Sequence, residues 1–192
     1  LPWYNGQPFC EILDSYNIKK GLNGLPLRLP IQDIYKIDDK RVIVGRIETG
    51  ELKLNDELFF LPSNEIVKLK SFEAWPEKKK KYVSGDNVGL TIENQIFIDK
   101  GNLISHVTSR PKIMNTFEAN LFWLSEKKLK IDKQYLMKIN TGEYNIFISK
   151  VSKVIDTNTL SSKTSSLSPE KNDVCEVVIH SSQLIPMDDF KD

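Results

Sequence analysis

The sequence predicts an all-β protein: two consecutive antiparallel β-barrels behind one short linking helix. Three observations predict it. From Pro26 onward, short segments alternating apolar and polar residues recur at close spacing, separated by Gly, Asn, Asp and Pro turns. A polar break containing Pro111, "TSRPKIMN" (Thr108 to Asn115), splits that series in two. Helical periodicity is confined to the start of the chain. The expected divisions are 1–24 (linker and helix), 25–109 (first barrel) and 110–192 (second barrel).

Each element has a local cause. In "PFCEILDSYNI", Phe9, Ile12, Leu13 and Tyr16 fall at helical spacing, so a short amphipathic helix is expected, ending near Gly21. "LRLPIQDIYKI" alternates through Leu27, Leu29 and Ile31, then continues at Ile34 and Tyr35 after a slip of register. "VIVGRIETGELKLND" (Val42 to Asp56) reads as a hairpin with its tight turn at Thr49-Gly50. Turn residues Asn55-Asp56 and Pro62-Ser63-Asn64 bracket "ELFFL". "EIVKLKSFEAW" sets Val67 and Leu69 against Ile66, Lys68 and Lys70, the period of a half-buried strand. "DNVGLTIEN" and "GNLISHV" complete six or seven short strands.

The second series begins at Phe117 with "FEANLFWLS", in which Trp123 alternates with apolar neighbours and is read as core. "QYLMKINTGEYNIFISKVSKVID" carries a turn at Asn140-Thr141-Gly142, and "VCEVVIHSS" supplies the last strand. Between these two, the Ser-rich "TNTLSSKTSSLSPEKND" reads as a long surface loop rather than a strand. The halves share architecture but no repeated sequence.

Composition excludes several classes. The 192 residues are 40% hydrophobic and 28% charged, enough for real cores and unlike a disordered chain. A net charge of +1 leaves no global field to recruit nucleic acid or a membrane surface. Cys10 and Cys175 are far apart and form neither a disulfide framework nor a C-x-x-C pair, so a reducing, cytoplasmic setting is expected. No apolar run approaches the roughly 20 residues that cross a bilayer. The start, "LPWYNGQPF", is not a signal peptide, and its lack of Met suggests a fragment.

Catalysis would need a nucleophile with its base, paired carboxylates or a metal cluster. The two histidines, His106 and His180, each fall in a predicted strand, and His180 lies on the opposite face from Cys175. Asp38-Asp39 and Asp188-Asp189 are read as solvated loop acids, and no ligand spacing supports a metal. None of the nine glycines stands in a G-x-x-x-x-G-K-[ST] frame, whose backbone N–H groups would wrap phosphates. No catalytic, cofactor-binding or metal-ligating residue is assigned. The basic run Lys78 to Lys81, flanked by Trp75 and Tyr82, could meet RNA phosphates, but a solvated turn balanced by Glu73 and Glu77 is the favoured reading.

"PLRLPIQDIYKI", "VGRIETGELKLND" and "SGDNVGL", in this order, resemble the second domain of translation-type GTPases of the elongation factor family. Gly45 and Gly50 suit close strand approach and a positive-φ turn. Gly85-Asp86 forms a turn that the Asn87 side chain can brace. The resemblance makes the opening segment the join from a GTP-binding domain, with GTP and Mg held in that missing domain and no cofactor in this fragment. In the second half, Trp123-Leu124-Ser125, Tyr135-Leu136-Met137-Lys138-Ile139 and Ile155-Asp156-Thr157-Asn158-Thr159-Leu160 resemble the third domain of the GTPase subunits of bacterial sulfate adenylyltransferases. The His-containing third-domain pattern of true elongation factors is not found.

The resemblance implies a non-catalytic fragment whose parent couples GTP hydrolysis to adenylylsulfate synthesis. Its partners would be its own GTP-binding domain and a small catalytic subunit. It also implies a second barrel lacking its last strand; in some relatives a fused adenylylsulfate kinase lies beyond. The alternative is domains two and three of a translation elongation or release factor that binds tRNA or the ribosome; a third is a plain interaction module. RNA is the lesser expectation, and no membrane partner is expected. The residues expected to make interdomain or partner contact are Arg46, Glu48 and Thr49, with the turn Gly85, Asp86 and Asn87. Arg46 and Glu48 share a strand face and can project together, unless they form only a cross-strand ion pair.

Overall fold

The computed structural model describes residues 3–16, 22–73, 79–157, 161–162 and 168–189. Helix α1 (Phe9–Ser15) stops earlier than the apolar spacing suggested, with Tyr16 already extended, and Gly21 lies outside the described residues. It buries none of its residues; Phe9, Leu13 and Tyr16 are all exposed.

Eight strands follow: β1 (Leu29–Ile37), β2 (Lys40–Arg46), β3 (Glu51–Lys53), β4 (Glu57–Leu61), β5 (Glu65–Phe72), β6 (Lys81–Val83), β7 (Asn87–Ile92) and β8 (Leu103–His106). Six close an antiparallel barrel in the order β1-β2-β7-β5-β4-β8, with β8 paired back to β1. The β1–β2 register shifts between Ile31 and Asp33, where the sequence alternation slips. Inward residues such as Leu29, Ile31, Ile43, Leu69 and Leu90 fill the interior, with Phe60 fully buried among them. In β5, Val67 and Leu69 are buried and Ile66, Lys68 and Lys70 exposed, as their alternation requires.

The hairpin expected over Val42–Asp56 does not form. β2 pairs with β1 and β7, while β3 pairs with β6 as a separate ribbon. The reason is that the backbone between β2 and β3 is already spent. The Glu48 N–H donates to Arg28 O (2.9 Å), the Ile47 N–H donates to Asp86 O (3.0 Å), and Thr49 O accepts from the Arg28 N–H (3.0 Å). Gly50 lets the chain turn there: its φ is +80°, and a Cβ would stand 2.6 Å from Leu27 Cα. The β3–β6 ribbon then carries Leu52 and Tyr82 into the barrel core, Tyr82 against Phe72 with centroids 4.6 Å apart.

The second half comprises β9 (Lys112–Phe122), β10 (Gln134–Ile139), β11 (Gly142–Asp156), β12 (Ser161–Ser162) and β13 (Val174–Met187). They form one antiparallel sheet, β10-β11-β13-β9, with β12 on β11. β12 lies in the stretch expected to be all loop; most of that stretch is outside the described residues. Shifts of register in β11 and β13 let these long strands bend around an apolar cluster that includes Ile146, Ile148, Val154, Cys175 and Val177. Trp123 packs on this cluster, edge-on to Tyr135 at 6.0 Å, and its indole N–H donates to Lys127 O (2.8 Å). His180 faces outward, opposite to Cys175.

Between the halves, β4 is buried on both faces. Leu58 and Phe60 point into the barrel, while Phe59 and Leu61 pack outside it with Leu103, Val107 and Ile113. Replacing Phe60 with Ala should cost about 3–5 kcal/mol, read from urea denaturation of the full chain, because the closed barrel cannot collapse onto the void. Burial raises the Cys175 thiol pKa, with Asp173 adding to the effect, whereas Cys10 is exposed. Titration of the native chain with an aromatic disulfide should therefore modify Cys10 rapidly and Cys175 only after unfolding.

Candidate interdomain and partner surface

The corner after β2 and the turn before β7 are brought together by backbone bonds. The Gly85 N–H donates to Ile47 O (2.7 Å), opposite the Ile47-to-Asp86 bond, and the Ser84 hydroxyl donates to Glu48 O (2.7 Å). Arg46 is paired with Asn87 in the β2–β7 register. The brace of the turn is Asp86, whose carboxylate accepts the Val83 N–H (3.0 Å), rather than Asn87. Gly85 has φ +93° with open space around it.

The six residues divide by role. Arg46, Glu48 and Asn87 line one cleft of about 260 Å³ with Pro30 and Gln32; Asn140 and Thr141, from the β10–β11 tip of the second half, complete it. Arg46 and Glu48 line this cleft without an ion pair to each other. The hydroxyl of Thr141 is buried there without a hydrogen-bond partner. Thr49 looks the other way: its hydroxyl donates to Pro26 O (2.6 Å), and it lines a second hollow with Arg28, Arg110, Lys112, Asp188 and Asp189. Gly85 and Asp86 shape the turn without lining the cleft.

Asp188 and Asp189 follow β13, each more than half exposed as expected of loop acids, and both are also paired. The Arg28 guanidinium donates through Nε and Nη2 to both Asp188 carboxylate oxygens, each at 2.7 Å, and Lys112 meets Asp189 at 2.6 Å. Nothing local in the sequence marks the first pair, whose members stand 160 residues apart. Gly101 and Gly142 complete the junction; a Cβ on Gly101 would lie 2.8 Å from Gly142 Cα.

Among the described residues of the basic run, two lysines have acidic partners outside it. Lys79 lies 3.5 Å from Asp86 and over the Tyr82 ring, and Lys81 pairs with Glu51. Glu73 accepts from the Ser71 hydroxyl, and Trp75, Glu77 and Lys78 lie outside the described residues. Lys53 and Lys81 both reach Glu51, holding its carboxyl down at about 2. Among the described residues, no group of three or more His, Cys, Asp or Glu is placed to hold a metal. No helix there is long and apolar enough to cross a membrane. The sequence has no phosphate-wrapping glycine frame, and the described site is built of strand and turn backbone.

Residues 116–192 match the family model GTP-eEF1A C-terminal domain-like. Over all 192 residues the chain is 29% identical to sulfate adenylyltransferase subunit 1 of Saccharophagus degradans, covering 41% of that protein. Over 123 residues, 62% of the chain, it is 34% identical to elongation factor 1-alpha of Methanococcus maripaludis, covering 29% of it. The crystal structure of Sup35 complexed with GDP superposes over 97% of the chain and 46% of that protein, with a TM-score of 0.79 and 21% identity. The chain thus spans well under half the length of these curated relatives.

Substituting Glu51→Gln tests the Lys53–Glu51–Lys81 cluster. A carboxyl whose pKa is lowered on folding contributes stability above its unfolded value, and that contribution is lost as pH falls through the folded one. The wild-type advantage in urea midpoint should therefore be full at neutral pH and shrink as pH falls from 4.5 to about 2. An advantage constant across that window would show that the shift is absent.

Proposed function

We propose that this chain supplies the two β-domains of the GTPase subunit of a sulfate adenylyltransferase. In such a protein GTP hydrolysis is coupled to formation of adenylylsulfate from ATP and sulfate, and the adenylyl transfer takes place on a separate small subunit. These β-domains carry no chemistry of their own. They act as a fixed relay between the parent's GTP-binding domain, which holds GTP and Mg, and that subunit, in the cytoplasm. The observation that carries the reading is the reach of the similarity: it extends over the whole chain for sulfate adenylyltransferase subunit 1, against 62% for elongation factor 1-alpha. At residue level, the cleft of Arg46, Glu48 and Asn87 presents both charges and unspent amide groups, the chemistry of a protein contact.

A second reading, domains two and three of a translation factor binding tRNA or the ribosome, is favoured by the higher identity of the shorter alignment. It needs a surface of free cations for phosphate, whereas Lys79 and Lys81 are engaged by Asp86 and Glu51.

Tagging the native gene and identifying the purified product and its companions by mass spectrometry tests both. A product well above 22.1 kDa that brings down a small nucleotidyltransferase subunit is expected. Recovery of tRNA or ribosomes in a salt-sensitive complex, without that subunit, would overturn the sulfate-activation reading.

A further inference from the structure

We propose that Arg28 and Asp188 form a latch coupling the end of β13 to the corner that carries Arg46 and Glu48. One residue holds both sides. Through its main chain, Arg28 binds the corner: its N–H donates to Thr49 O (3.0 Å), and its carbonyl accepts the Glu48 N–H (2.9 Å). Through its side chain it binds the second half: Nε and Nη2 donate to the two Asp188 oxygens, and Nη1 donates to Ser109 O and Leu27 O, both at 2.8 Å. A planar guanidinium meeting a carboxylate in this forked way fixes direction as well as distance.

The two ends of the latch differ in exposure. The Arg28 side chain is 11% exposed and that of Asp188 56%. The arginine is therefore built into the junction, while the aspartate is the releasable end, open to screening by salt. On release, the packing of Phe59 and Leu61 with Ile113 and the contact between Gly101 and Gly142 still hold the halves together. What loosens is the strap from β13 across Arg28 to the corner. Because coupling of this kind is reciprocal, a partner that grips the Arg46–Glu48 cleft firms the end of β13, and a pull on that end disturbs the cleft. The functional consequence rests on the partner-surface reading, but the latch does not.

Residue-resolved amide hydrogen exchange on the full chain tests the latch with no partner present. In Asp188→Asn, exchange at the Glu48 and Thr49 amides should accelerate about tenfold, the scale of one lost charge-assisted hydrogen bond, while Val67 and Leu69 across the barrel stay protected. Asp189→Asn removes the neighbouring charge, which meets Lys112 and not Arg28, and should leave the corner unchanged. High salt should speed exchange at the corner in the wild type and have little further effect in Asp188→Asn. The latch is overturned if Asp188→Asn frays only the end of β13, or if Asp189→Asn loosens the corner equally. Either result would leave the co-purification outcome untouched.

Discussion

The arrangement depends on how many groups Arg28 satisfies at once. Its guanidinium is nearly buried at the junction, where an unpaired charge would be costly, and four acceptor atoms surround it: two carboxylate oxygens and two carbonyls. The same residue's main chain occupies the backbone groups of the corner after β2. That occupation keeps β2 from folding back on β3 and sends the chain into the β3–β6 ribbon. The corner therefore rests on Arg28 together with the turn at Gly85-Asp86, and Arg28 also links it to the second half.

Apolar packing supplies the stiffness that this polar node directs. β4 buries alternate residues on opposite faces: Leu58 and Phe60 belong to the barrel, Phe59 and Leu61 to the junction. Arg110 lies over the outer face of Phe59, its guanidinium 4.0 Å from the ring centroid, and closes that patch from solvent. A movement of the second half against the first would expose these side chains to water and separate Gly101 from Gly142. The polar contacts then set direction within a junction that the apolar contacts already hold closed.

The features legible in the sequence are those with a local cause. Alternation placed Val67 and Leu69 inside, the break in alternation after Ile31 marked a real shift of register, and period two put Cys175 and His180 on opposite faces. Gly50 announced a turn, because a left-handed corner pressed on Leu27 admits little else. The choice of strand partner was not legible. Val42–Arg46 followed by Glu51–Lys53 has the local form of a hairpin, and its failure to pair comes from Arg28 and Asp86, distant in sequence and near in space. The partners of the exposed acids Asp188 and Asp189 were illegible for the same reason. Of the expected contact surface, Arg46, Glu48 and Asn87 do meet in one cleft; Asn140 and Thr141, which complete it, could not be foreseen without the placement of the second half.

The distribution of satisfied and unsatisfied polar groups separates scaffold from surface. Around the corner, Thr49, Ser84, Asp86 and Lys79 are consumed by contacts that hold shape. One strand position away, Arg46 and Glu48 stand on the same side without neutralising each other, beside a buried Thr141 hydroxyl that has no partner. Opposite charges this near on a flexible surface would pair for little net gain. Here the backbone anchors each at its own place: Arg46 in register with Asn87, and Glu48 by its N–H to Arg28 and its carbonyl to Ser84. The main chain that carries the two charges is thereby pre-formed, so a second molecule that meets it has less backbone to order on binding than on a loose loop. The backbone of that corner is in turn bonded to Arg28, whose side chain reaches Asp188 beyond β13.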